Sequence, residues 1–149
     1  MRKFTPSLAA AAVGTAALFV GTVAPAQAAP AWNKTVKCEQ RDADNRKIPT
    51  RQGNAELGWM HFSGKHNIKK CSVVNKALKN HPVGKDGSSF TYEGQVISSS
   101  GRVKVVVIVQ YSRKTTDSRY DAGAGQKIGV ITAYCEGTNK NKCPPWVND

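Results

Sequence analysis

The sequence predicts an α+β fold: N-terminal helices packed on a three- to four-stranded antiparallel sheet, with two disulfides. Three observations carry that expectation. Val73, Val74, Ala77 and Leu78 form an apolar stripe at helical spacing, with Asn75, Lys76, Lys79 and Asn80 facing away. Three later runs, 90–97, 102–111 and 127–135, are rich in β-branched and aromatic residues and are separated by turn-forming Ser and Gly. Cys38, Cys71, Cys135 and Cys143 make an even set. Helical patterns followed by consecutive strands argue for α+β over alternating α/β.

The chain divides into a signal peptide at 1–28, an N-terminal arm at 29–53 and a single compact domain at 54–149. Arg2 and Lys3 precede an apolar stretch over 8–20, and Ala26-Gln27-Ala28 supplies the small-x-small pattern of signal-peptidase cleavage. Gly14 and Thr15 interrupt that stretch, which is short for spanning a bilayer, so no stable membrane anchor is expected after cleavage. The protein is therefore expected outside the cell, beginning at Ala29. Of the 22 Lys and Arg, two fall in the signal, and none of the ten acids does, so the mature chain carries a net charge of +10.

Residues 29–53 are polar, contain Pro49 and show little periodicity, as expected of an arm tethered by Cys38. Asn54 is placed to cap a short helix through Ala55, Leu57, Trp59, Met60 and Phe62, broken near Ser63-Gly64. The second helix, over the Val73–Leu78 stripe, ends at His81-Pro82 because the residue before proline avoids helical backbone. Residues 90–97 then form a strand, Ser98-Ser99-Ser100-Gly101 a hairpin turn, and 102–111 the central strand. Residues 112–126 read as a polar loop, 127–135 as the third long strand, and the Cys143-Pro144-Pro145-Trp146 tail as a turn that folds Trp146 back.

An exported protein with four cysteines is expected to pair them. Three pairings can be written. The polar loop EGTNKNK favours Cys135–Cys143, which leaves Cys38–Cys71. The chain has no CxxC or HxxxH spacing, so neither zinc nor another cofactor is expected.

The segment GWMHFSGKHN at 58–67 holds two of the three histidines, with a Lys, a Ser and an Asn beside them. Imidazole trades protons near neutral pH. His66, among Lys65, Asn67, Lys69 and Lys70, is the stronger catalytic candidate; His61, between Met60 and Phe62, equally suits a half-buried structural role. Five residues on an ideal helix rotate by roughly 140°, so the two share no face unless Gly64 kinks the chain. His81 suits an interaction with its helix C-terminus. Excess Lys and Arg favour RNA or another polyanion, and Tyr92, Tyr111, Tyr120 and Tyr134 offer rings for stacking on unpaired bases. The same charge also suits adsorption to an acidic cell wall. No GxSxG, GxGxxG, HExxH or phosphate-loop motif is present.

The order of these features resembles the barnase–EndoU–colicin–RelE superfamily of small ribonuclease toxins. Gly58-Trp59-Met60-His61 and Lys65-His66 are followed by a helix and by strands closing on Val130-Ile131-Thr132-Ala133-Tyr134, so that the resemblance covers 58–134. It implies metal-independent RNA cleavage, in which a 2′-hydroxyl attacks the adjacent phosphorus. His66 would be base or acid with His61 as partner, and Thr132 and Tyr134, two apart on one strand face, would hold phosphate or base. Lys65 and Arg113 would stabilise charge there; Tyr111, one of the rings offered for stacking, is the further residue expected to contact substrate. Toxins of this kind travel with an inhibitor or immunity protein. Cys135 departs from the family pattern, which has Pro after the Tyr. The contrasting expectation is a non-catalytic secreted binding protein, such as a protease inhibitor or cell-wall module, which needs no histidine chemistry.

Overall fold

Two sheets organise the computed structural model, which describes residues 31–149; the expected signal at 1–28 lies outside them. The first is a two-stranded antiparallel sheet of β1 (Asn33–Arg41) and β2 (Lys47–Gly53). Two short helices follow, α1 (Trp59–Lys65) and α2 (Cys71–Leu78). The second sheet is antiparallel throughout, in the order β3 (Gly84–Asp86), β4 (Ser89–Ser98), β5 (Gly101–Gln110), β6 (Gly129–Glu136). Short 3-10 turns at Asn139–Asn141 and Pro145–Asn148 complete the chain.

The α+β class and both disulfides, Cys38–Cys71 and Cys135–Cys143, are as expected. The arrangement of layers is not. Instead of an N-terminal helical layer over one sheet, the helices are few and follow strands, and the expected arm at 29–53 is largely the β1–β2 sheet. Ile48, Pro49, Thr50 and Arg51 are buried in succession while β1 is almost wholly exposed. Neither strand therefore shows the alternation that betrays a half-buried strand.

Cross-strand register divides the large sheet into two faces. Tyr92, Val107 and Ala133 align on one, as do Gly94, Val105 and Cys135. This face is the core, and α2 buries Val73, Val74, Ala77 and Leu78 there. The approach is close: a Cβ on Gly94 would come within 2.8 Å of the Ala77 Cα. Thr91, Ile108 and Thr132 align on the opposite face, followed by Glu93, Val106 and Tyr134. A bulge between Ile108 and Val109 shifts the β5–β6 register. At the start of β6, Gly129 takes φ 86°, and a Cβ there would lie 1.9 Å from the Pro49 carbonyl oxygen. Glycine at this position lets β2 lie directly against β6.

The β1–β2 turn is pinned to β4 by a buried carboxylate. Asp42, whose side chain is fully buried, accepts from the Asp44 and Arg46 N–H groups (3.0 and 2.8 Å), Arg46 Nε (2.7 Å) and the Tyr92 hydroxyl (2.7 Å). Burial acts to raise the Asp42 pKa, but the hydrogen bonds from Tyr92 and Arg46 outweigh it and hold it below 3.8. Burial and the adjacent carboxylate push Tyr92 well above its usual 10. Asp42→Asn is expected to cost about 2–4 kcal/mol in urea unfolding, since it removes the buried charge that Arg46 Nε and the Tyr92 hydroxyl share and leaves Arg46 only its bridge to the more exposed Asp44. A depressed carboxyl contributes stability above its unfolded value and loses it as pH falls through the folded one. The gap between wild type and variant should therefore close below pH 3.8.

Candidate active site

Backbone geometry hangs α1 on the edge strand β6. Asn54 caps a turn ahead of the helix, not the helix itself: its Oδ1 accepts from Glu56 N–H (2.9 Å) and Leu57 N–H (3.2 Å). Gly58, at φ 78°, then donates its N–H to the Ile131 carbonyl at 2.9 Å and starts the helix. Phe62 is fully buried and anchors it. The helix runs through the expected break at Ser63-Gly64 and ends at Lys65, where His66 N–H bonds the Phe62 carbonyl at 2.9 Å.

The two histidines meet, contrary to the ideal-helix expectation. Their ring centroids lie 5.6 Å apart at 73°. His66 stands beyond the last helical residue, at φ −109° and ψ 4°, so ideal helical rotation does not govern it. Its ring also lies 5.8 Å from that of Tyr134. Thr132 shares the strand face of Tyr134, and its Oγ1 is buried with no hydrogen-bond partner among the described residues. His61, His66 and Tyr134 thus form one cluster at the edge of the sheet, with Thr132 next along the strand.

Both rings are oriented by carbonyl oxygens. His61 Nδ1 lies 2.8 Å from the Ala55 carbonyl and His66 Nδ1 lies 3.1 Å from that of Asn141. A carbonyl only accepts, so each Nδ1 carries a proton, and His66 in its neutral form presents a bare Nε2. His66 is only 6% exposed. Desolvation holds its pKa below 6.5; the Asn141 bond opposes this, and the charges of His61 and Lys65 reinforce it. The neutral, proton-accepting form therefore prevails at neutral pH. Lys65 is exposed beside it on the last helical turn.

The other residues expected to contact substrate stand apart from this cluster or are already engaged. Arg113 forms two 2.8 Å bonds to Asp121, which, with the Gly123 N–H, hold that carboxyl down at about 2. Tyr111 packs on Phe90 with Lys127 Nζ over its ring, in a depression shared with Pro49 and Arg51. Tyr92 and Tyr120 are buried and cannot stack on a base. His81 pairs with Asp44 at 2.9 Å.

Sequence reasoning takes 136–142 only as the loop that pairs Cys135 with Cys143, and misses that its Asn141 carbonyl orients His66. Gly137, Lys140 and Asn141 adopt φ of 76°, 53° and 55°, and the GTNKN composition is the available signal for such a left-handed turn. It also passes over an open groove of about 510 Å³ floored by Leu57, Ile108, Tyr120 and Ile131, adjoining Thr132 along β6.

Among the described residues, no group of three or more His, Cys, Asp or Glu side chains is arranged to hold a metal, and no helix is long and apolar enough to cross a membrane. No protein-family model, curated protein or solved structure matches the chain.

Proposed function

We propose that the protein is an exported basic ribonuclease of the barnase–EndoU–colicin–RelE type, cleaving RNA by transphosphorylation. The observation that carries this reading is the convergence of His61, His66 and Tyr134 beside Thr132, with His66 Nδ1 protonated and Nε2 bare. His66 Nε2 takes the proton of a ribose 2′-hydroxyl as its oxygen attacks phosphorus. The bond to the 5′-oxygen breaks, and that oxygen receives the Nε2 proton of His61, which acts as the imidazolium and ends as the neutral ring. The products are a 2′,3′-cyclic phosphate and a 5′-hydroxyl, with no net change in protons. The Tyr134 hydroxyl donates to the phosphoryl oxygens and exposed Lys65 adds positive charge, whereas the buried Thr132 Oγ1 is out of their reach. RNA is the partner the net charge favours, and an inhibitor or immunity protein is the partner that a cell making such an enzyme requires.

Incubating mature protein, starting at Ala29, with an RNA oligonucleotide tests the reading. A cyclic-phosphate product is expected, with no cut where a 2′-deoxy residue replaces the attacking ribose. Cleavage of the deoxy-substituted bond, or none of the all-ribose strand, overturns it. The pH dependence follows from the sign of the His66 shift. A base must be neutral, so kcat/KM rises with pH through the His66 pKa, and the midpoint of that rise is expected below 6.5. Initial rates across buffers check this.

The burial of His66 favours a second reading, a secreted binding protein in which this histidine is structural. That reading predicts no RNA cleavage and full function after substitution of both histidines. A general base, however, needs only one nitrogen at the surface, and the carbonyl-held Nδ1 leaves the other free.

A further inference from the structure

The strand β6 and the tail are joined by a ring closed through Cys135–Cys143, eight residues apart. This ring meets His66 and its neighbour at three points. Asn141 offers its carbonyl to His66 Nδ1 at 3.1 Å, and Cys143 N–H donates to the His66 carbonyl at 2.8 Å. Asn67 Nδ2 donates to the Cys143 carbonyl at 3.0 Å. The ring's own conformation is one a free chain disfavours: Lys140 and Asn141 are consecutive non-glycine residues at positive φ. It is held by the crosslink, by the Thr138 hydroxyl on the Cys135 carbonyl (2.8 Å) and by Asn141 N–H on the Thr138 carbonyl (3.0 Å). Closing the ring therefore places a carbonyl where it faces one imidazole nitrogen.

We infer that the Cys135–Cys143 ring is the positioning device of His66: it fixes the proton on Nδ1 through the Asn141 carbonyl and so reserves Nε2 for proton transfer. The catalytic consequence rests on the ribonuclease reading; the tautomer itself does not. Free imidazole places its proton on either nitrogen, so without the ring a fraction of molecules presents a protonated Nε2 that cannot act as a base. Asn141 is a positioning residue that acts through its backbone and need not touch substrate. The crosslink is accordingly a condition for a set site, and a chain whose Cys135 and Cys143 are unpaired holds the catalytic residues without holding the tautomer of His66.

Imidazole 15N chemical shifts of His66, measured with RNA-cleavage rates on the full mature chain, test this in three variants. Wild type is expected to show a single Nδ1–H tautomer. Asn141→Gly removes the side chain but welcomes positive φ, and is expected to keep both the tautomer and the rate. Asn141→Val removes the same side chain but disfavours positive φ, and is expected to mix the tautomers and to lower cleavage about tenfold or more. C135S/C143S, with Cys38–Cys71 intact, is expected to match Asn141→Val. If the double variant does not fold, the Gly and Val pair decides. A lone Nδ1–H tautomer in folded Asn141→Val overturns the inference, as does equal loss in the Gly and Val variants. Should wild type fail to cleave RNA, the ribonuclease reading falls while the shifts still decide the positioning role.

Discussion

Replacing His66 by glutamine is expected to slow RNA cleavage by about 10²–10⁴-fold, the range that a positioned general base contributes. Glutamine is chosen because its amide N–H can still reach the Asn141 carbonyl, which lies 3.1 Å from Nδ1 in the wild type, so packing is largely kept while proton transfer is removed. Thermal unfolding should move little, and a folded variant with an unchanged rate would favour the binding-protein reading. His61→Gln should lose a comparable factor if it is the acid. The double variant should lose far less than the product of the two, because residues that act on one proton relay are not independent. Tyr134→Phe keeps the ring that lies 5.8 Å from His66 and removes only the hydroxyl, so its smaller loss measures the hydrogen bond to the phosphoryl group. Rates for these proteins on one oligonucleotide, at the pH of the wild-type plateau, supply all of these comparisons.

What the sequence made legible follows from where burial is one-sided or complete. The stripe of Val73, Val74, Ala77 and Leu78 reports α2 because only one face of that helix is buried. The β-branched run of β5 reports a central strand because β4 and β6 flank it on both sides. The first sheet was hidden because β1 is solvated on both faces while four successive residues of β2 are buried, and neither pattern has a period of two. In the candidate site the side chains were named from sequence, but their geometry was not. Spacing alone separates His61 from His66 on a helix, and it took the helix end at Lys65 to bring the rings to 5.6 Å. The group that orients His66 is a backbone carbonyl, which no residue type announces. Arg113 was indistinguishable from a free cation until the fold placed Asp121, eight residues on, against two of its nitrogens.

The two disulfides divide their work between stability and geometry, and C38S/C71S is expected to expose that division with a large loss of stability. Chain entropy alone puts the crosslink over 33 residues at about 3.5–4 kcal/mol, against about 2.5 kcal/mol for the ring over eight. The native contacts enlarge the difference. Cys71 opens α2, so its bond ties the first sheet to the helix that fills the core, whereas β1 contributes almost nothing buried, with Val36 42% exposed. Without the crosslink, β1 is held by pairing to β2 and by the Arg51 guanidinium on the Lys34 carbonyl at 2.5 Å. Amide exchange should therefore accelerate first along β1, and the urea midpoint should drop for the whole domain. Cleavage by the folded fraction should stay within about twofold of wild type, because the Asn141–His66 contact does not pass through this bond. C135S/C143S should show the reverse balance, with a smaller drop in stability and a larger loss of rate. Equal effects of the two double variants on both stability and rate would mean that the crosslinks serve one cooperative fold and that neither is dedicated to the site.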